Sequence, residues 1–346
     1  MNSIERTLLT LEGKLPDRVP VDLHNFLVTA RLMNVGSYAD YFRDGEAMAE
    51  GQIMAWKRFG HDVLIIENGT AALAGALGVE VRFQSDSAPV ATTPVLKSLD
   101  EVDKLKLPDP YKDPILSELL KATRIVVDQI GDQAFVIGRA DQGPFSLACE
   151  LRGMGDFLLD LAKNKQPEKI EQLLDFCRQV CHRFAVAQIE QGAHATSIGD
   201  SSSGPDVISP TYYRKFAYPY VKRLLDDLKS QNILLAYHIC GNSTSIIDDM
   251  VSTGAAILEI DQKADMTKAK FAANGRTTLL GPIDPSGIMA HATPDAVAEK
   301  CREALDILAP GGGFILGPGC ALPAFTPDDN IFAMIETAKE YGHYTI

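Results

Sequence analysis

The sequence predicts an α/β fold, and within that class a single closed (β/α)8 TIM barrel. Three observations carry the prediction. Eight short β-rich runs occur along the chain, and longer patterns with apolar residues every three or four positions alternate with them. The third observation concerns continuity: no linker rich in Gly, Ser or Pro, no charge block and no low-complexity segment divides the sequence. Residues 1–346 are therefore expected to form one domain, a length that suits such a barrel with additions. An open doubly wound sheet is the competing architecture.

The opening stretch, MNSIERTLLTLEGKLPDR, mixes charges into a helical pattern and predicts an N-terminal helical extension. Strands are expected at residues 19–23, 62–67, 133–139, 194–200, 232–240, 255–261, 276–284 and 312–318. Helices are expected at 40–60, 114–130, 167–191, 210–231, 294–308 and 327–341. Ser209-Pro210, Thr293-Pro294 and Thr326-Pro327 each pair an N-cap residue with a proline in the first turn, where a missing N–H costs least. Residues 79–96 break the alternation and read as an inserted β-hairpin excursion.

Composition narrows the function. Apolar residues make up 46% and charged residues 23%, as in a soluble globular protein. The net charge of −13, from 46 acidic and 33 basic residues, argues against a nucleic-acid partner, which calls for a basic face. No run approaches the roughly 18 apolar residues that span a bilayer, and the N-terminus lacks an apolar signal core. Six cysteines are too sparse for a disulfide framework, so free thiols in the cytoplasm are expected.

The sharpest local signal is Tyr237-His238-Ile239-Cys240-Gly241-Asn242 at the end of an apolar run. Side chains two apart on a strand point the same way, so His238 and Cys240 can project together from a strand end. The last strand runs straight into Gly319-Cys320-Ala321, which puts Cys320 just past another strand end. In a barrel both ends open onto the same mouth. One imidazole and two thiolates would leave a fourth position free, the pattern of a catalytic zinc. The alternative is that both cysteines are small buried hydrophobes and His238 a core histidine. Cys149, Cys177, Cys181 and Cys301 fall in helical patterns and read as packing.

These residues and their surroundings resemble the uroporphyrinogen decarboxylase superfamily, in its branch of cobalamin-dependent methyltransferases. The matching stretches are GPFSLA at 143–148, GDSSSGPDVISPTYYRKFAYPYVK at 199–222, HICGNST at 238–244, GPIDP at 281–285, GPGCALP at 317–323 and FTPDDNIFAMIETA at 325–338. The resemblance implies a barrel with its site at the strand C-termini and His238, Cys240 and Cys320 as ligands of Zn2+. It further implies methyl transfer between a corrinoid (cobalamin) carried by a partner protein and a small-molecule thiol acceptor or a methylated donor such as a methyl ether or methylamine. That places the chain in one-carbon metabolism. A metal-free decarboxylase is the alternative, and a non-catalytic corrinoid- or metal-binding subunit a third. The decarboxylases call for an arginine-rich N-terminal segment, whereas Arg18 and Arg31 stand apart here, and their late glycine-rich turn has histidine where this chain has Pro318 and Cys320.

Three carboxylates are candidates for the chemical step. Glu67 closes the second strand and reads as a fourth zinc ligand, a substrate-polarising group or a partner of a backbone amide. Asp200 ends the fourth strand. Asp261 is the last residue of ILEID and so lies nearer the mouth than Glu259. Arg139 and Asp141 end the third strand, with a salt bridge between loops as the competing role. Asn242 is expected to cap the next helix, Asp284 to serve a turn, and Gly311–Gly313 to form a tight turn, since that run precedes a strand instead of joining a strand to a helix.

Overall fold

Alternating apolar runs in the sequence become parallel strands whose two faces are both covered. A computed structural model describes residues 1–85 and 87–344. Asp86, inside the expected excursion, and residues 345–346 lie outside the described residues. The strands are β1 (Val63–Ile66), β2 (Glu80–Arg82), β3 (Val90–Thr93), β4 (Phe135–Gln142), β5 (Ala195–Gly199), β6 (Leu235–Ile239), β7 (Ile257–Ile260), β8 (Thr278–Ile283) and β9 (Phe314–Pro318). Seven form a curled parallel sheet in the order β1-β4-β5-β6-β7-β8-β9, while β2 and β3 pair antiparallel as a separate hairpin.

The run at 19–23 is not a full strand, as the sequence predicts, but a bridging segment. Asp22 pairs with Val63 of β1 and Val21 with Leu316 of β9, both in parallel, so this segment lies between the two ends of the sheet. Pro20 has no N–H to donate, and His24 turns the chain into the left-handed region at φ 43°, which limits the ladder to isolated bridges.

Period-two alternation sorts the side chains. Val63, Ile65, Phe135, Ile137, Ala195, Ala236, Ile257, Leu280 and Ile315 form an inner apolar cluster, while their neighbours Leu64, Ile66, Val136 and Leu258 pack outward against the helices. Those helices include Gly45–Phe59, Leu116–Ile130, Pro167–Glu190, Tyr218–Ser230, Pro294–Leu308 and Asp328–Tyr341. The pattern at 210–231 is interrupted by a π-helical turn, Tyr213–Ala217, just before Pro219, a residue that cannot donate an intrahelical hydrogen bond. Ser209 and Thr293 accept hydrogen bonds from Tyr212 N and Ala296 N as N-caps. Thr326 does not: its hydroxyl donates to Pro323 O at 2.8 Å within its own turn, and Pro327 occupies the cap position.

The N-terminal helix, Ser3–Leu11, covers the end where the strands begin. Arg6 pairs there with Asp62 at 2.7 Å, and Thr278 Oγ1 donates to Thr10 O at 3.2 Å. Among the described residues no helix is long and apolar enough to cross a membrane.

Candidate metal centre

Along several strands the inward face changes from apolar to polar as the chain nears the C-terminal end. On β6 it runs Ala236, His238 and then Cys240; on β7, Ile257, Glu259 and Asp261; from β1, Ile65 and then Glu67. The apolar layer fills the barrel, and the polar layer above it can exist only if its members pair with one another. His238 lies beside Glu259 in the β6–β7 ladder.

One nitrogen and two sulfurs converge there. The ligand atoms of His238, Cys240 and Cys320 all lie within 4.8 Å of one another. His238 Nε2 is 2.9 Å from Cys240 Sγ, and the two sulfurs are 3.8 Å apart. His238 Nδ1 is 3.0 Å from Glu259 O, a carbonyl that can only accept, so Nδ1 carries a hydrogen and Nε2 faces the sulfurs. His238 is 2% exposed, whereas Cys240 and Cys320 are half-buried, so the group is anchored inside and reachable from outside. The donor set, one oriented imidazole and two thiols, fits a borderline-soft divalent cation with an open position.

The electrostatics of the three-donor group are those of a proton shared among its members. The Cys240 thiol is pulled down, first by the hydrogen bond from Cys320 and then by His238. Cys320 is pushed up by that same hydrogen bond and by burial. Burial opposes a charge on His238, yet the Glu259 carboxylate and Cys240 raise its pKa to about 9.

Beneath this group lies a buried quartet. His24 is held between two carboxylates, with Nδ1 2.7 Å from Glu259 Oε1 and Nε2 2.8 Å from Glu67 Oε1. Arg139, 4% exposed, stands 3.4 Å from Glu67 Oε2 and 3.7 Å from Glu259 Oε2. Burial disfavours both cations, but Glu67 and Glu259 raise the pKa values of His24 and Arg139, so two positive groups face two negative ones.

The other predicted residues are placed as follows. Glu67 faces the barrel interior in the quartet and is not part of the three-donor group. Asp261 accepts Gly241 N at 2.8 Å and Lys263 N at 2.9 Å, and so holds the turn that follows Cys240. Gly241 needs its φ of 87° to make that turn. Asp200 Oδ1 accepts Ser146 N at 2.7 Å, its other oxygen has no partner among the described residues, and burial pushes its pKa up to about 6. Asp141 accepts Leu73 N at 2.8 Å. Asn242 accepts Thr244 N, Asp284 accepts Ser286 N and Gly287 N, and the three glycines at 311–313 all adopt positive φ in a turn.

Sequence reasoning passed over His24 and ranked Glu259 below Asp261. The signal for His24 was present: it directly follows the run at 19–23, the same strand-end position that singled out His238.

Comparison with known proteins agrees with this architecture. The methylcobamide:CoM methyltransferase MtbA of Methanosarcina acetivorans is 29% identical over 345 residues, covering 98% of each chain. The methylcobamide:CoM methyltransferase MtaA of Methanosarcina barkeri is 28% identical, covering 97% of each. A uroporphyrinogen decarboxylase of Hydrogenovibrio crunogenus is 26% identical over 88% of this chain and 86% of its own. Among solved structures, a methyltransferase from Methanosarcina mazei shares the fold, with a TM-score of 0.89 over 99% of both chains at 24% identity. The family model of uroporphyrinogen decarboxylase (URO-D) matches residues 2–341, and the chain belongs to that family.

Proposed function

We propose that this chain is a zinc-dependent methyltransferase that moves a methyl group between a corrinoid carried by a partner protein and a thiol acceptor or a methylated donor. The observation that carries the reading is the convergence of His238, Cys240 and Cys320 within 4.8 Å at the barrel mouth. The similarity to two methylcobamide:CoM methyltransferases along almost the whole chain supports it. We place the reaction in one-carbon metabolism in the cytoplasm.

His238 Nε2 and the sulfurs of Cys240 and Cys320 would hold the ion. Zn2+ bound there supplies Lewis acidity that keeps an entering sulfur deprotonated or polarises a methylated heteroatom. The Glu259 carbonyl fixes the His238 tautomer. Asp261 holds the Gly241 turn, and Ser201 Oγ accepts the Cys240 N–H at 3.3 Å, so Cys240 is restrained from both sides of its peptide. Glu67 and Glu259 balance His24 and Arg139, which keeps the floor of the site near neutrality. Asp200 steadies the start of the helix Pro144–Arg152 beside the mouth. A metal-free decarboxylase would have no use for two converging sulfurs.

The test is visible absorbance. Zinc-loaded protein mixed with methylcobalamin and a panel of thiols should change the corrinoid spectrum, or the reverse mixture of Co(I) corrinoid with methyl ethers or methylamines should do so. Cys320→Ala should lower zinc content and abolish turnover in a folded protein. Silence of the folded, zinc-loaded parent in both directions would overturn the reading, as would activity that survives exhaustive chelation.

A further inference from the structure

The quartet under the metal group has a feature that charge balance alone does not explain. Its two carboxylates receive directional hydrogen bonds, among the described residues, only from His24. Arg139 stands at ion-pair distance from both, but its Nε and Nη1 make no hydrogen bond among the described residues. His24 itself sits at φ 43°, a conformation that non-glycine residues adopt rarely and keep when the surroundings over-determine it. The chain at this point lies between the two ends of the sheet, so the imidazole spans from Glu67, just past β1, to Glu259 on β7.

Glu259 is the residue whose backbone carbonyl accepts the His238 Nδ1 hydrogen at 3.0 Å. Its side chain and its main chain thus face two different imidazoles: Oε1 receives from His24, and O receives from His238. The Glu259 carboxylate also reaches His238 directly, with Oε2 3.7 Å from Nδ1, so the side chain that His24 holds stands against the same ring nitrogen.

We infer that His24 is a positioning residue: by holding the Glu259 carboxylate from below, it keeps that group against His238 Nδ1 and so helps aim Nε2 at the metal. The inference rests on the proposed zinc site and assigns a role to a side chain that touches no ligand atom of that site. Outer partners of a metal-bound histidine commonly change metal affinity by about 10- to 100-fold. His24 would act one bond further out, through the segment that carries such a partner.

The experiment measures Zn2+ affinity by competition with a chromophoric chelator, and the visible bands of the Co2+-substituted protein, for the parent, His24→Phe and His24→Gln. The phenylalanine variant keeps the ring volume and loses both donors, whereas glutamine keeps one. We expect Zn2+ affinity to fall about 10-fold or more in His24→Phe and less in His24→Gln, with shifted Co2+ bands in both. A purely structural role would lower the melting temperature and leave the affinity and the Co2+ bands in place. If His24→Phe does not fold, His24→Gln decides. Affinity within about threefold of the parent, with superimposable Co2+ spectra in every folded variant, overturns the inference alone. A folded parent that binds no Zn2+ overturns it together with the proposed function.

Discussion

His61 offers a clean test of how burial sets the acid stability of this barrel. It is 1% exposed, directly precedes the first inward-facing region of the sheet, and neither ring nitrogen has a hydrogen-bond partner among the described residues. Burial lowers its pKa to about 4, with Asp62 opposing weakly. The folded protein therefore keeps the ring neutral, while the unfolded chain takes up a proton below its ordinary value of about 6.5. The sign follows: this group's contribution to stability is intact above about pH 6.5 and is lost as pH falls toward about 4. Each pK unit corresponds to about 1.4 kcal/mol, so the whole loss is about 3 kcal/mol, of which about 2 kcal/mol falls between pH 6.5 and 5. At about 2.1 cal/mol/K per residue, unfolding entropy for a chain of this length is about 0.7 kcal/mol/K, so 2 kcal/mol is about 3 °C. His61→Phe keeps an aromatic ring in the site and removes the proton uptake. Melting temperatures of parent and variant from pH 7.5 to 4.5 should diverge steadily below pH 6.5, the variant being the less acid-sensitive. Parallel curves across that range would refute the reasoning.

Two further perturbations probe the same structure elsewhere. Glu259→Gln removes one of two negative charges from the buried quartet and should destabilise the fold by about 3–5 kcal/mol, as for other broken buried ion pairs, seen as a melting temperature about 4–7 °C lower. Asp328 joins Arg31 at 2.6 Å and Arg58 at 2.5 Å, tying the final helix to two N-terminal ones, and these guanidinium contacts hold its pKa below the ordinary carboxylate value against the effect of burial. Its contribution is present above about pH 4 and lost as pH falls through the lowered value, so Asp328→Asn should cost about 1 kcal/mol at pH 7, given the partly exposed partners, and less at pH 3 by urea denaturation.

What was legible in the sequence was whatever repeats with a short period. Short β-rich apolar runs mark Val63–Ile66 and Ile257–Ile260, and the helical spacing with its leading proline marks Pro294–Leu308. The pair His238 and Cys240 was legible for the same reason, because two residues on one strand share a face whatever the tertiary structure. Cys320 could be joined to them because a barrel brings strand ends to a common mouth. How the residues of the floor pair with one another was not legible. His24, Glu67, Arg139 and Glu259 come from four separate segments, and no local spacing links them. Asp261 outranked Glu259 on the argument that the last strand residue is nearest the mouth. Yet Asp261 spends both oxygens on backbone N–H groups of adjoining turns, while Glu259, one step lower, meets the two histidines. Proximity to the mouth was a weaker guide than the question of which buried charge needs a partner.

The spacing of His238, Cys240 and Cys320 ties the candidate metal centre to the curvature of the sheet. β6, which leads to Cys240, and β9, which leads to Cys320, are three steps apart in the order β6-β7-β8-β9. In a flat sheet, three steps of about 4.8 Å would put those strand ends about 14 Å apart. The sulfurs are 3.8 Å apart. Closing that gap takes both the curl of the parallel sheet and the inward reach of the two turns. One of these turns is held by the Gly241 hydrogen bond to Asp261, and the other is anchored where Gly319 N donates to Ile283 O at 2.8 Å. Curvature in turn depends on the segment at 19–23, which pairs with β1 on one side and β9 on the other. His24 leaves that segment directly into the space between Glu67 and Glu259. The residues that bridge the two ends of the sheet thus lead straight to His24, so an alteration that loosens the bridges at Val21 or Asp22 would reach the geometry of the His238, Cys240 and Cys320 group without touching any of the three.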